Sequence, residues 1–498
     1  MLKSTKLALG SASLAALATG AFAQDIAQTD NEWFIAAQER IQAELAKQPN
    51  TRTAKNIILM ISDGNGVGTN YMSRLWAGQQ EGGLGDDYVQ PHETFPHLAL
   101  VKTYNVNAQT PDSAGTGTAM MAGVKTNIGI IGVDQDVKRG DCSLLPGNTV
   151  TAISEFADAI GKSVGVVSSA RITHATPASM YAKTADRNFE ATVPEGCDTQ
   201  TDIAQQLLDA MERGLIDVAM GGGRRNFVDE GMQIEEGTTG RRADGRNLIE
   251  EAQAMGAHYA WNQETFEAAP LDGTPILGLF ESSHMMYEAD RADEPSLAEM
   301  TAATIEALSG DEDGMVIMIE AGRVDHANHA GNAARVVADQ KAFADAVAIA
   351  DEMTNDEDTL IIVTADHEHA IAFNGYCGRG SDILGLCMDV NNEGIETTGE
   401  PLLGDDGKPY TVVGYLNGSG SVLVEQIDGS YFGTRPDITE EQATDLDYVQ
   451  QALVPKSSET HSGEDVAVYA KGPWAHLFDG TIEQNVVFHV MHHALTAE

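Results

Sequence analysis

Three apolar runs of this sequence are each followed by a carboxylate. Asp63 follows Asn56–Ser62, Glu320 follows Met315–Ile319, and Asp366, with His367 beside it, comes one residue after Thr359–Thr364. An acid after a strand often caps the next helix, which would explain any one of these. It explains the three together poorly, because two come with histidine. Asp325 and His329 are four residues apart, which sets both on one side of a helical turn and suits a single metal ion. Asp366-His367 offers adjacent oxygen and nitrogen ligands. His461 lies just before a late strand, and His174 and Thr176 follow the run Lys162–Ser168 on a short loop. Mixed oxygen and nitrogen donors suit Zn²⁺, whereas all-oxygen sets suit Mg²⁺.

A nucleophile is available in Thr110-Pro111-Asp112-Ser113-Ala114-Gly115-Thr116-Gly117. Thr110-Pro111-Asp112 reads as a turn, and Ser113 to Val124 as a helix of small residues and methionines. Ser113 therefore lies at a helix N-terminus, where free N–H groups and the helix dipole favour negative charge. In isolation, Asp112 or Ser113 would be only an N-cap. Several other motifs fail. The Asp112-Ser113-Ala114 stretch lacks the first glycine of a nucleophile elbow. His367-Glu368-His369-Ala370-Ile371 is not H-E-x-x-H, and Gly221-Gly222-Gly223-Arg224 reads as a turn after a strand rather than a phosphate loop.

The elements that must position these groups are apolar runs alternating with helical patterns. Ile216–Met220 is a further strand, and Asn332–Met353 carries Val336, Phe343 and Val347 on one helical face. Unbroken apolar runs suit strands covered on both faces. The alternation predicts an α/β, doubly wound sheet. Residues 24–54 read as a helical N-terminal arm, and 374–455, rich in Gly and Asp, as an insertion on the main domain. Glu464–Ala470 returns to strand, and Thr481–Ala494 reads as a closing helix.

Composition narrows the partners. Asp and Glu total 75 against 30 Lys and Arg, a net charge of −45, so no basic face is available for nucleic acid. Residues 1–23 read as a signal peptide, with Lys3 and Lys6, a short apolar core and Ala21-Phe22-Ala23 as the cleavage site. The apolar run is too short to span a bilayer, so no membrane anchor is expected after cleavage and the protein is expected to be periplasmic or secreted. The four cysteines then suggest two disulfides. Three pairings are possible. Cys142–Cys197 with Cys377–Cys387 is favoured, because the second pair closes a short Gly-rich loop.

Together these stretches resemble the alkaline phosphatase family. The carriers are residues 61–69, 110–119, 173–178, 220–224, 320–329, 364–369 and 460–466, in the family's order, spanning the chain from about Lys55 onward. The resemblance implies a mixed, mostly parallel central sheet between helical layers, usually in a homodimer. It implies hydrolysis of small phosphate monoesters, with Ser113 as the nucleophile that becomes phosphorylated. One zinc would be held by Asp325, His329 and His461, a second by Asp63, Asp366 and His367 with Ser113, and a magnesium by Asp63, Thr176 and Glu320. Arg187, steadied by Asp112, would clamp the phosphoryl oxygens.

The chain departs from the family's pattern in places. His174 stands where some members carry Asp, which implies contact with magnesium through water. His326 stands where others carry Lys or Trp, and Asn65 replaces a residue that is often Met. These bear on metal preference and turnover rather than on reaction class. A sulfatase of the same superfamily would need C-x-P-x-R, which is absent. A diesterase often uses Thr and lacks the arginine clamp. A secreted acidic metal-binding protein would leave Ser113 and Arg187 unexplained.

Overall fold

The apolar runs are buried on both sides because each strand serves two cores. In the computed structural model, which describes residues 27–392 and 397–497, Ile57, Leu59 and Ile61 face one core and Ile58 and Met60 the other. Val316 and Met318 alternate with Ile317 and Ile319 in the same way, as do Leu360 and Ile362 with Ile361 and Val363. The expected signal peptide at 1–23 lies outside the described residues.

The central sheet has ten strands. In chain order these are β1 Asn56–Ser62, β2 His97–Lys102, β3 Ser163–Arg171, β4 Val218–Gly222, β5 His258–Ala260, β6 Ile276–Leu279, β7 Met315–Ala321 and β8 Thr359–Thr364, then two late strands, Val466–Lys471 and Thr481–Glu483. The middle of the sheet runs β2, Val466–Lys471, β8, β1, β7, β3, β4. Every pairing is parallel except the two made by Val466–Lys471, which runs antiparallel to both β8 and β2. Helices Ser113–Ala122, Ile203–Glu212 and Val486–Thr496 cover one face. Val67–Gln80, Leu297–Leu308 and Ala333–Glu352 cover the other. This is the expected mixed, mostly parallel sheet between helical layers.

Some boundaries differ from the sequence reading. β7 continues through Glu320 to Ala321, so Glu320 lies within the strand instead of after it. Thr481–Ala494 is not one helix: Thr481–Glu483 adds an edge strand to β2 before the helix begins at Val486. The Ser113 helix stops at Ala122 because Gly123 takes a left-handed conformation, φ 73°.

The chain divides after Gln48. The first unit contains the helix Glu32–Ala46, capped by Asn31. In the second, the 374–455 region holds short strands, among them Val413–Gly418, which joins Ile371–Phe373 and Ala452–Pro455 in a small sheet. Both favoured disulfides, Cys142–Cys197 and Cys377–Cys387, are present. Among the described residues, no helix is long and apolar enough to cross a membrane.

Candidate active site

Sheet register delivers the acids to one place. Ile61 pairs with Glu320 on one side and with Thr364 on the other, and Ser168 of β3 pairs with Glu320. Asp63, Glu320 and Asp366 therefore stand at nearly the same level, at the carboxyl ends of adjacent parallel strands, where open α/β sheets bind ligands. The turn after β1 is tight. Gly64 has φ 70°, and a side chain there would strike the His369 ring.

Ser113 opens its helix at this edge and is buried. Asp112, the N-cap, accepts hydrogen bonds from the N–H groups of Gly115 and Gly129, each at 3.1 Å. Its other oxygen accepts from Arg187 Nη1 at 3.0 Å. Ser113 Oγ lies 3.3 Å from His367 Nε2 and 3.5 Å from Asp63 Oδ2. His367 Nε2 is in turn 3.1 Å from Asp366 Oδ2 and 3.5 Å from Asp63 Oδ1. Asp366 is fixed by the Gly64 N–H at 3.0 Å and by Thr116 Oγ1 at 3.2 Å.

A second cluster adjoins the first. Asp325 Oδ1 lies 3.4 Å from His329 Nε2, 3.2 Å from His461 Nε2 and 2.9 Å from His369 Nε2. His329 Nδ1 bonds the Glu459 carbonyl at 2.7 Å, and His461 Nδ1 the Pro111 carbonyl at 2.9 Å. A carbonyl can only accept, so both Nδ1 atoms carry hydrogen, and in the neutral rings both Nε2 atoms present lone pairs. Those two nitrogens are 3.0 Å apart. Facing lone pairs at that distance call for a cation between them.

His369 is the residue that the sequence reading missed, having weighed it only as part of a failed H-E-x-x-H. It pairs with His461 across a two-residue ladder and bonds Glu459 through Nδ1 at 2.5 Å. Burial would lower its pKa, but the bonds to Asp325 and Glu459 prevail and hold it up at about 10. Its signal lay in the alternation Asp366-His367-Glu368-His369: on a strand, residues two apart share a face.

A third group is all oxygen. Asp63 Oδ1, Thr176 Oγ1 and Glu320 Oε1 are all buried without a hydrogen-bond partner. Glu320 Oε2 accepts from Ser168 Oγ. Burial raises the Asp63 carboxyl well above its usual range, and Asp366, Asp325 and Glu320 push it further; burial also lifts Glu320 to about 7. Orphaned oxygens and mutually repelling acids are what a bound cation would relieve, so the residues present fit metal ions. His174 Nε2 lies 3.1 Å from Arg187 Nη2, and the His326 ring centroid lies 4.0 Å from that of His284 with the planes tilted, a contact absent from the sequence reading.

Comparison with known proteins decides the family. The family model for alkaline phosphatase matches residues 54–497. The chain belongs to the alkaline phosphatase family. It is 38% identical to the rat tissue-nonspecific isozyme, covering 96% of this chain and 90% of the rat protein. It is 39% identical to the Atlantic cod (Gadus morhua) alkaline phosphatase over 93% of this chain and 96% of the cod protein. Among solved structures, the Thermus thermophilus alkaline phosphatase aligns with a TM-score of 0.62 at 22% identity, over 92% of this chain and 94% of that one. The enzyme from the Antarctic bacterium TAB5 aligns with a TM-score of 0.61 over 90% and 100%. These alkaline phosphatase structures share the fold. Membership makes this chain a metal-dependent phosphomonoester hydrolase.

Proposed function

We propose that the chain hydrolyses phosphate monoesters in two displacements, with Ser113 carrying the phosphoryl group between them. The observation that supports this best is the convergence on Ser113 Oγ: His367 Nε2 and Asp63 Oδ2 lie within 3.5 Å, at the start of a helix.

Ser113 Oγ gives up its proton to water and attacks phosphorus, the new P–O bond forms as the ester P–O bond breaks, and the alcohol leaves with a proton taken back from water. Water then attacks the phosphoserine, Oγ departs, and inorganic phosphate is released. Arg187, held by Asp112, offers a planar two-point fork to the phosphoryl oxygens in both steps. The N–H groups at the Ser113 helix start add partial positive charge.

Asp325, His329 and His461 would hold one zinc, and Asp63, Asp366 and His367 with Ser113 a second. Asp63, Thr176 and Glu320 would hold a magnesium, with His174 and His326 nearby; a variant of the TAB5 enzyme has Mg bound in its M3 site. Bound there, the metals supply positive charge to the attacking and leaving oxygens and favour their deprotonated forms. Beyond the site, the same reading has residues 1–23 directing export, an arm at 24–54, a catalytic domain at 55–498 and a homodimer.

Phosphate release from an aryl phosphate, with and without chelator, tests the reading when joined to mass spectrometry of acid-quenched protein. Activity that needs metal and a phosphoryl group on Ser113 are expected. Full activity in protein shown to be metal-free, or a phosphoryl group only elsewhere, would overturn it.

A further inference from the structure

Arginines near the site are short of counter-charge. Glu190 accepts from Arg171 Nε and Nη2, each at 2.7 Å, from Thr173 Oγ1 at 2.6 Å and from Asn226 Nδ2 at 2.9 Å. Three of these bonds fall on Oε2 and one on Oε1, so Glu190 is committed chiefly to Arg171, Thr173 and Asn226. Arg171 Nη1 and Arg225 Nη2 nevertheless converge on a single neutral acceptor, Ser283 Oγ, at 3.4 and 3.0 Å. Arg225 Nε is buried with no acceptor. Arg241, whose backbone N–H bonds the Arg225 carbonyl, is exposed. Among the described residues, neither Arg225 nor Arg241 forms an ion pair. Burial, then Arg241 and Arg171, lower the Arg225 pKa. Two acids, Glu190 and Glu230, line the adjoining cavity, and Glu190 pairs with Arg171, so the three guanidiniums outnumber the carboxylates beside them.

This group is joined to the phosphoryl position by direct contacts. Arg187 Nη2 meets His174 Nε2 at 3.1 Å, the His174 ring centroid is 5.3 Å from that of His284, and His284 Nε2 touches Arg171 Nη1. Asn188, the residue after Arg187, lines an open cavity of about 620 Å³ together with Glu190, Asn226, Glu230 and Arg241.

We propose that Arg171, Arg225 and Arg241 form a second anion subsite beside the phosphoryl position at Ser113, which takes a further phosphate group. The proposal rests on the reading of Ser113 and Arg187 given above for its primary position. Guanidinium forks recognise phosphate through paired, charge-assisted hydrogen bonds, and three of them against the two carboxylates Glu190 and Glu230 leave net positive charge for an anion. The group could be the distal phosphate of a substrate carrying two, or free orthophosphate; the chemistry is shared.

The test uses the metal-loaded full-length enzyme, with Arg225→Ala and Arg241→Ala as separate variants and thermal unfolding as a check on folding. kcat/KM is measured for an aryl phosphate and for an alkyl bisphosphate. The ratio of bisphosphate to aryl phosphate is expected to fall about tenfold in Arg225→Ala and by a smaller factor in Arg241→Ala, on the scale of one lost charge-assisted bond. A second arm titrates sulfate with the aryl phosphate as substrate. A sulfate response beyond simple competition, present in the parent and lost in Arg225→Ala, would assign the subsite to free anions rather than to a distal substrate phosphate. An unchanged ratio together with identical sulfate curves would overturn the subsite. Loss of all activity in the parent enzyme would instead refute the reading of Ser113, a separate failure.

Discussion

Asp112 holds Arg187 with one carboxylate oxygen and the first turn of the Ser113 helix with the other. The proposed nucleophile and the proposed phosphoryl clamp are therefore tied to one side chain. Asp112→Asn keeps the cap but weakens the ion pair. It is expected to raise the inhibition constant for inorganic phosphate about tenfold. Asp112→Ala also leaves the Gly115 and Gly129 N–H groups without their acceptor and should cost roughly 2–4 kcal/mol of stability by denaturant unfolding. Unchanged phosphate binding in both would contradict the shared role.

Two displacements at phosphorus have a stereochemical consequence. With a chiral phosphate ester and an alcohol acceptor, the parent protein should transfer the phosphoryl group with retention of configuration. Inversion would leave water as the sole nucleophile and exclude the Ser113 intermediate. Ser113→Ala should lose roughly a thousandfold or more in kcat while still binding inorganic phosphate.

The Asp325 cluster predicts what happens when His369 is lost. The imidazole bridges Asp325 and Glu459. His369→Ala frees Asp325 to turn, and zinc affinity, measured by competition with a chelator, is expected to fall about 10–100-fold. Affinity equal to that of the parent would mean that Asp325 is held without it.

The convergence of Asp63, Glu320 and Asp366 was legible in the sequence because each carboxylate stands at or near the end of an apolar run. β1 and β8 were legible for a related reason: strands buried on both faces read as unbroken apolar runs. β2 was not, because its apolar run, Leu98 to Val101, is only four residues long between His97 and Lys102. Thr481–Glu483 was not, because three residues carry no period. Glu320 was placed one step too late, since an acid inside a buried strand is uncommon without a counter-ion. The Ser283 and His284 contacts join residues more than a hundred positions apart to Arg171. No local pattern announces such a meeting.

Stability should depend on pH through Asp339, which lies buried in the helix Ala333–Glu352. Burial lifts its carboxyl to about 8, against the pull of Arg323. Between about pH 4 and about pH 8 the folded chain keeps a proton there that the unfolded chain has released. This group's contribution therefore falls as pH rises through that window. Asp339→Asn should remove the effect, gaining on the parent by at least about 2 kcal/mol between pH 5 and pH 8 in denaturant unfolding. Parallel pH profiles would mean that Asp339 is ionised in the folded protein.

The net charge of −45 predicts that salt stabilises the fold. Screening relieves self-repulsion among surface acids. Unfolding midpoints should rise from low to high NaCl, and a flat trend would show the acids already neutralised by bound ions.

The strand Val466–Lys471 sits between β8 and β2, antiparallel to both. Both neighbours precede it in the chain by about a hundred residues or more, and without it they would face each other across an empty slot. Both flank it with unsatisfied backbone edges, open to the wrong strand, until the late segment arrives. His461 lies five residues before that segment, so the candidate site and the sheet are finished by the same stretch of chain. Order of folding therefore matters: a chain cut short before His461 holds most of the candidate site's residues and lacks the piece that closes it.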